Sequence, residues 1–244
     1  ARAGAPTLLV AAVGTDAEGA EQVEELRRVG VDVSEIVVVP GPTGMAFIAV
    51  TPEGENAITV VPGANGALTA AHAVEVLGRT DPGVVVLQTE VSAAVISAVA
   101  AWCTAARTRL ILNDGPTIPL PASTLAAADP IVVNQHEARS IIGAASESTL
   151  PAGLAREVQR ATGARSVVVT MGADGSEVAE PGGVYSVPAV LADEVVDTTG
   201  AGDTFLGTLA SALAKGAELS AAVAAATAAA AESVGWLGAR PPSR

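Results

Sequence analysis

Short, unbroken apolar runs constrain this chain more than any other feature. Leu8–Val13, Val84–Leu87, Leu110–Leu112, Ile131–Val133 and Val167–Val169 are continuous rather than alternating. A strand with one wet face alternates apolar and polar residues, so a continuous run reads as a strand covered on both faces. Helical patterns lie between and after these runs, at Ala17–Val29, Val91–Arg107, Glu137–Ile142 and Leu154–Thr162. The alternation predicts an α/β fold, a mostly parallel, doubly wound sheet flanked by helices. Composition suits such packing. Half of the 244 residues are apolar but only 2% are aromatic, so Ala, Val, Leu and Ile must fill the core. The length allows one large domain, with or without a small appendage.

One region breaks the rhythm. Thr43–Val50 and Asn56–Val61 flank Pro52-Glu53-Gly54-Glu55 and read as a hairpin. Inserted in a βα series, such a flap can be a lid, a dimer contact or a plain edge hairpin. Farther on, Gly202–Lys215 and Leu219–Ser233 are Ala-rich helices separated by Gly216.

Charge and residue counts exclude several classes. The formal net charge of -13 leaves no basic footprint for nucleic acid and argues against anionic membranes. Apolar stretches are shorter than about 18 residues or carry charges such as Glu90 and Glu232, so no membrane span is expected. No signal peptide is visible. Cys103 is the one cysteine. It precludes an internal disulfide and, within an Ala-rich helix, is expected to be a buried, inert thiol suited to the cytoplasm. Lys215 is followed by Gly216, so there is no Walker A loop. His72 and His136 are the two histidines, too few with one cysteine for a catalytic zinc site.

Polar residues collect where the apolar runs end. Val84–Leu87 leads into Gln88-Thr89-Glu90, Leu110–Leu112 into Asn113-Asp114-Gly115, and Ile131–Val133 into Asn134 with Glu137 beyond. Val167–Val169 leads into Thr170-Met171-Gly172, and Glu194–Val196 into Asp197-Thr198-Thr199. Each could be a helix cap or a turn; together they point to one polar crevice at the carboxyl ends of strands. The strongest local signal is Asp197-Thr198-Thr199-Gly200-Ala201-Gly202-Asp203-Thr204-Phe205. Its small residues let a backbone approach a ligand, and the helix that follows turns free N–H groups toward any anion held there. Asp203 either stabilises that helix start or accepts a proton from an attacking hydroxyl.

These residues resemble the ribokinase-like carbohydrate kinases, the PfkB family. Asp197–Phe205 is similar to that family's C-terminal signature, and Asn134-Gln135-His136-Glu137 to its Asn-x-x-Glu motif. Thr170–Gly175 resembles its nucleotide-contacting turn, and Gln88-Thr89-Glu90 its sugar-contacting segment. Gly14-Thr15-Asp16, Thr43-Gly44, Gly54-Glu55-Asn56 and Pro62-Gly63-Ala64-Asn65 follow the family in order, so the likeness covers essentially the whole chain.

The resemblance implies an ATP-dependent kinase acting on a sugar primary hydroxyl, with D-ribose as first acceptor. Fructose, a ketodeoxy sugar acid or a nucleoside are alternatives. It makes Asp203 the catalytic base, with Gly200, Ala201 and Gly202 forming the anion hole, and Glu90 and Asp203 the sugar contacts. Asn134, Thr170, Gly172, Ala173, Gly175 and Thr227 become the ATP-binding residues. Glu137 organises Mg²⁺ through water, and Asp197 and Thr199 hold an activating K⁺. The hairpin 43–61 becomes a lid that also forms a homodimer. Against the family pattern, Thr227 replaces a polar residue of another type. The family's first strand, with a sugar-binding Asp, and its Gly-Gly-Lys-Gly-Ala-Asn motif precede the position matched by Ala1, so residues 1–244 are expected to be a kinase domain lacking that segment and a final helix. Two other readings stay open: a degenerate, non-catalytic sugar or nucleotide sensor, and a Rossmann-type oxidoreductase built on Gly200-Ala201-Gly202. Phe205 and Asp203 disfavour the oxidoreductase.

Overall fold

A computed structural model of the chain describes residues 1–50, 56–143 and 153–240. The turn expected at Pro52–Glu55 and the terminal residues 241–244 lie outside the described residues. The chain forms two compact units. The first comprises Ala1–Arg2, Pro6–Asp81 and Glu90–Val99; the second comprises Ala3–Ala5, Pro82–Thr89 and Ala100–Arg244.

In the first unit the run Leu8–Val13 is two short strands, β1 (Thr7–Leu8) and β2 (Ala11–Gly14), rather than one. The break follows from pairing. β1 lies parallel to β3 (Val31–Asp32), Leu9 donates its N–H to the Asp32 carbonyl, and β2 moves on to pair with β4 (Ile36–Val39). Helix α1 (Ala17–Arg28) connects them, with Asp16 as its N-cap. The expected hairpin forms from β5 (Met45–Val50) and β6 (Asn56–Val61), antiparallel with Met45 opposite Val61. Met45, Phe47, Val60 and Val61 are exposed on it. Helix α2 (Ala70–Thr80), capped by the Thr69 hydroxyl, buries Ala73, Val76 and Leu77.

Among the described residues the second unit holds the main sheet, six strands in the order Gly183–Val187 (β12), Ser176–Glu180 (β11), Val167–Thr170 (β10), Ile131–Asn134 (β9), Arg109–Asn113 (β8) and Val84–Gln88 (β7). Strands β7 (Val84–Gln88), β8 (Arg109–Asn113), β9 (Ile131–Asn134) and β10 (Val167–Thr170) are parallel. Leu110–Leu112, Ile131–Val133 and Val167–Val169 are all buried. Because neighbouring residues point to opposite faces, this means that both faces are covered, as the unbroken runs predict. Helix α3 (Ala93–Ala106) leads from the first unit into the second. The short α4 (Ala122–Ala126), α5 (Gln135–Ile142) and α6 (Leu154–Thr162) follow. Helices α7 (Ala201–Ala214) and α8 (Leu219–Ser233) pack on each other and on the sheet, with Leu206, Leu209 and Leu213 against Val223, Ala226 and Val168.

Among the described residues four strands were not read from the sequence: β3 and β4 in the first unit, and β11 (Ser176–Glu180) and β12 (Gly183–Val187), an antiparallel hairpin added to β10. Conversely, the run Glu194–Val196 is not a strand. The N–H groups of Val196 and Asp197 both donate to the Val234 carbonyl, just past the end of α8, which leaves no ladder for a sheet partner.

Candidate active site

The polar strand ends stand along the carboxyl edge of the main sheet. Gln88 pairs with Asn113 across β7 and β8, and Asn134 with Thr170 across β9 and β10. Three of these side chains turn back onto the backbone. Asn113 donates to the Val132 carbonyl at 3.0 Å, and Thr170 to the Val133 carbonyl at 3.4 Å. Asn134 accepts the N–H groups of His136 and Glu137 at 2.8 and 2.9 Å. The Glu137 carboxylate accepts the Asn134 N–H at 2.7 Å, which completes a capping box at the start of α5. Gln88 alone reaches another reactive group, donating to Asp203 Oδ1 at 3.4 Å.

Asp203 lies in the first turn of α7. Gly200, the N-cap, has φ +78°, and a Cβ there would meet the Ala239 backbone at 2.8 Å, so this position requires glycine. No side chain caps the helix. Ala201 already donates its N–H to the Thr198 carbonyl at 3.2 Å, so Gly202 and Asp203 supply the unengaged first-turn N–H groups. Gly202 faces open space, since a Cβ there would meet nothing within 4 Å. Glycine inside a helix costs about 1 kcal/mol relative to alanine. Packing gives no reason for it here, whereas a close-approaching ligand does.

Asp197 ties this loop together. Its carboxylate accepts the N–H of Thr199 and that of Gly238, each at 2.9 Å, and these bonds hold it below the usual carboxylate range, Thr199 contributing most. On the neighbouring turn, Gly172 (φ +57°) and Ala173 are exposed, and a Cβ on Gly172 would touch nothing. Gly175 differs: it is buried, and a side chain would collide with the Val187 carbonyl, so packing accounts for that glycine. Thr227 is buried in α8 and donates its hydroxyl to the Val223 carbonyl at 2.9 Å, which removes that proton from any nucleotide contact. Glu90 is exposed and belongs to the first unit, just past the chain's exit from β7.

Asp114 had only its strand-end position to mark it in the sequence. It is 1% exposed, and its Oδ1 has no hydrogen-bond partner. Burial pushes its carboxyl up to about 6; the Ile118 N–H opposes the shift and the charge of Glu137 adds to it. The next residue, Gly115, lies so close to Glu137 that any side chain would strike that carboxylate.

Among the described residues no group of three His, Cys, Asp or Glu is placed to hold a metal ion. Magnesium seldom needs such a cage: it keeps several waters and is held by one or two carboxylates with substrate phosphates. Glu137, fixed by its capping bond, fits that limited role. Asp197, an ionised carboxylate held in the signature loop by Thr199 and Gly238, carries the charge a monovalent cation would need.

The chain matches pfkB family carbohydrate kinases over residues 1–244. The chain belongs to this family. It is 33% identical over 242 residues to the ribokinase of Bacillus subtilis, covering 98% of this chain and 79% of that protein. It is 31% identical over 220 residues to a bifunctional ribokinase/ribose-5-phosphate isomerase A from Fructilactobacillus sanfranciscensis, covering 87% of this chain but only 40% of that longer protein. The structure of Arabidopsis thaliana ribokinase complexed with ribose and ATP superposes with a TM-score of 0.85 at 29% identity, over 96% of this chain and 77% of that one. As a pfkB-family chain it is a carbohydrate kinase, and the Arabidopsis relative is solved with ATP bound. No helix among the described residues is long and apolar enough to cross a membrane.

Proposed function

We propose that this chain transfers the terminal phosphoryl group of ATP to the primary hydroxyl of D-ribose, giving ribose 5-phosphate. The observation that carries the reading is Asp203, an exposed carboxylate in the first turn of an uncapped helix beside the open face of Gly202. Similarity to ribokinases, one of them solved with ribose and ATP, supports the choice of acceptor.

The chemistry follows from that placement. Asp203 takes the hydroxyl proton as the sugar oxygen attacks the γ-phosphorus, and the bond to the bridging oxygen of ADP breaks. The N–H groups of Gly202 and Asp203 stabilise charge on the phosphoryl oxygens. Glu90 grips the sugar, while Thr170, Gly172 and Ala173 line the nucleotide. Glu137 and Asn134 would organise the waters of a bound Mg²⁺, which would neutralise phosphate charge. Asp197 and Thr199 would hold an activating K⁺, which would supply positive charge beside the signature loop. The hairpin serves as a lid and joins two copies through its exposed Met45, Phe47, Val60 and Val61. Cys103, whose buried thiol is pushed up to about 11, suits a cytoplasmic protein.

An ATP-consumption screen across D-ribose, fructose, a ketodeoxy sugar acid and a nucleoside tests this reading in the full-length protein. D-ribose should give the highest kcat/KM, and phosphorus NMR should find a 5-phosphate. A higher value with another acceptor would replace ribose and keep the kinase. ATP consumption unaffected by every sugar would remove the proposal. Exchanging K⁺ for tetramethylammonium at constant ionic strength should lower the rate, and light scattering should give twice the chain mass.

A further inference from the structure

The geometry points to Gln88 as the positioning residue for Asp203: its side-chain amide fixes which carboxylate oxygen faces the acceptor hydroxyl. The inference rests on the reading of Asp203 as the base and adds a residue to it.

Among the described residues the Asp203 carboxylate accepts one side-chain hydrogen bond, from Gln88 Nε2 to Oδ1. An otherwise unrestrained aspartate rotates freely about its last torsion. With Oδ1 engaged, Oδ2 is left to receive a proton. The contact joins residues 115 positions apart, and both belong to the second unit. At 3.4 Å the bond is long, as catalytic contacts in ligand-free sites often are.

The backbone on either side of Gln88 is anchored. Gln88 is in register with Asn113 of β8. The next residue, Thr89, is 5% exposed and donates its hydroxyl to the Pro116 carbonyl at 2.6 Å. The amide therefore extends from a fixed strand end. The strand-end side chains of β8, β9 and β10 are engaged with the backbone, which leaves Gln88 as the one that can act on Asp203. Residue type matters as well. A lysine or arginine here would form an ion pair and weaken the base, whereas a neutral amide orients the carboxylate without neutralising it.

Gln88→Ala, Gln88→Glu and Asp203→Asn in the full-length protein test the inference. Gln88→Glu keeps the shape and replaces the donor by a second carboxylate oxygen. The alanine variant should lose about ten-fold in kcat, the scale of one hydrogen bond to a charged group, with KM for ATP and the thermal midpoint held. The glutamate variant should lose at least as much and move the acid limb of kcat/KM to higher pH by about one unit, because a like charge makes Asp203 a stronger proton acceptor. A structural role would lower the midpoint in both variants and leave the limb in place. If Asp203→Asn is inactive while both Gln88 variants keep parental kcat and an unmoved acid limb, the inference fails and the base assignment stands. If Asp203→Asn turns over at the parental rate, both fail.

Discussion

Asp16 and Asp203 both sit at the start of a helix, and they are treated in opposite ways. Asp16 caps α1 and is closed over. It accepts the Gly19 N–H at 3.0 Å, the Thr43 N–H at 2.6 Å and the Thr43 hydroxyl, and that hydroxyl also accepts the Gly14 N–H at 2.9 Å. A Cβ on Gly14 would strike the Gly41 carbonyl, and one on Gly19 would lie 2.6 Å from the Gly14 carbonyl. Asp203 accepts one long bond and stands beside a glycine with nothing over it. Helix-start carboxylates are common, so position alone says little. What distinguishes them is saturation: a carboxylate with its acceptor sites filled holds loops together, and one with free lone pairs can exchange a proton.

Substitution on each side of that contrast should give separable losses. The largest is expected at the open site. Asp203→Asn should lower turnover by about 10²–10⁴-fold, the range for a general base, without moving the thermal midpoint. Steady-state kinetics beside a melting curve checks both, and turnover near the parental rate would end the contrast. The next effect belongs to the closed site. Gly14→Ala drives a methyl group into the Gly41 carbonyl and should cost about 3 kcal/mol in urea unfolding, the upper range for overpacking. The smallest is Asp16→Asn. The Thr43 hydroxyl, first among its hydrogen-bond donors, holds the Asp16 carboxyl below its ordinary value of 3.8. Its contribution is therefore present above that value and disappears as the pH falls through the lower, folded one. The variant should show a shallower loss of stability with acid than the parent below about pH 4. Identical acid titrations of the two would mean that the network does not select the ionised form.

Much of this was legible in the sequence, for reasons that also explain the misses. The buried parallel strands β8 to β10 were plain because both faces are apolar. The signature around Asp203 was plain because its residues are contiguous. Hairpin β11–β12 was not, since its first strand carries Ser176 and Glu177, which read as surface. Glu177 is in fact 4% exposed and accepts the Gly153 and Ala155 N–H groups at the start of α6, a partner invisible to local pattern. Glu194–Val196 misled in the opposite sense: its valines satisfy strand propensity, but its amides bond to the Val234 carbonyl, beyond α8. Gln88 was visible as a strand end and its role was not, because only the folded chain brings it to Asp203.

Asp114 has an unusual proton balance for a carboxylate. Its carboxyl rises from 3.8 to about 6 when buried, so between those values the folded protein holds a proton that the unfolded chain has released. Folding in that window is a proton-consuming reaction: in a weakly buffered solution, refolding drives the pH upward. The stabilisation is complete below pH 4 and is lost as the pH climbs through 6. Asp16 in the first unit has the opposite sign, releasing a proton on folding in acid. The two carboxyls therefore draw on the surrounding proton pool in opposite directions, Asp114 taking up a proton on folding between about pH 4 and 6 and Asp16 giving one up only below 3.8.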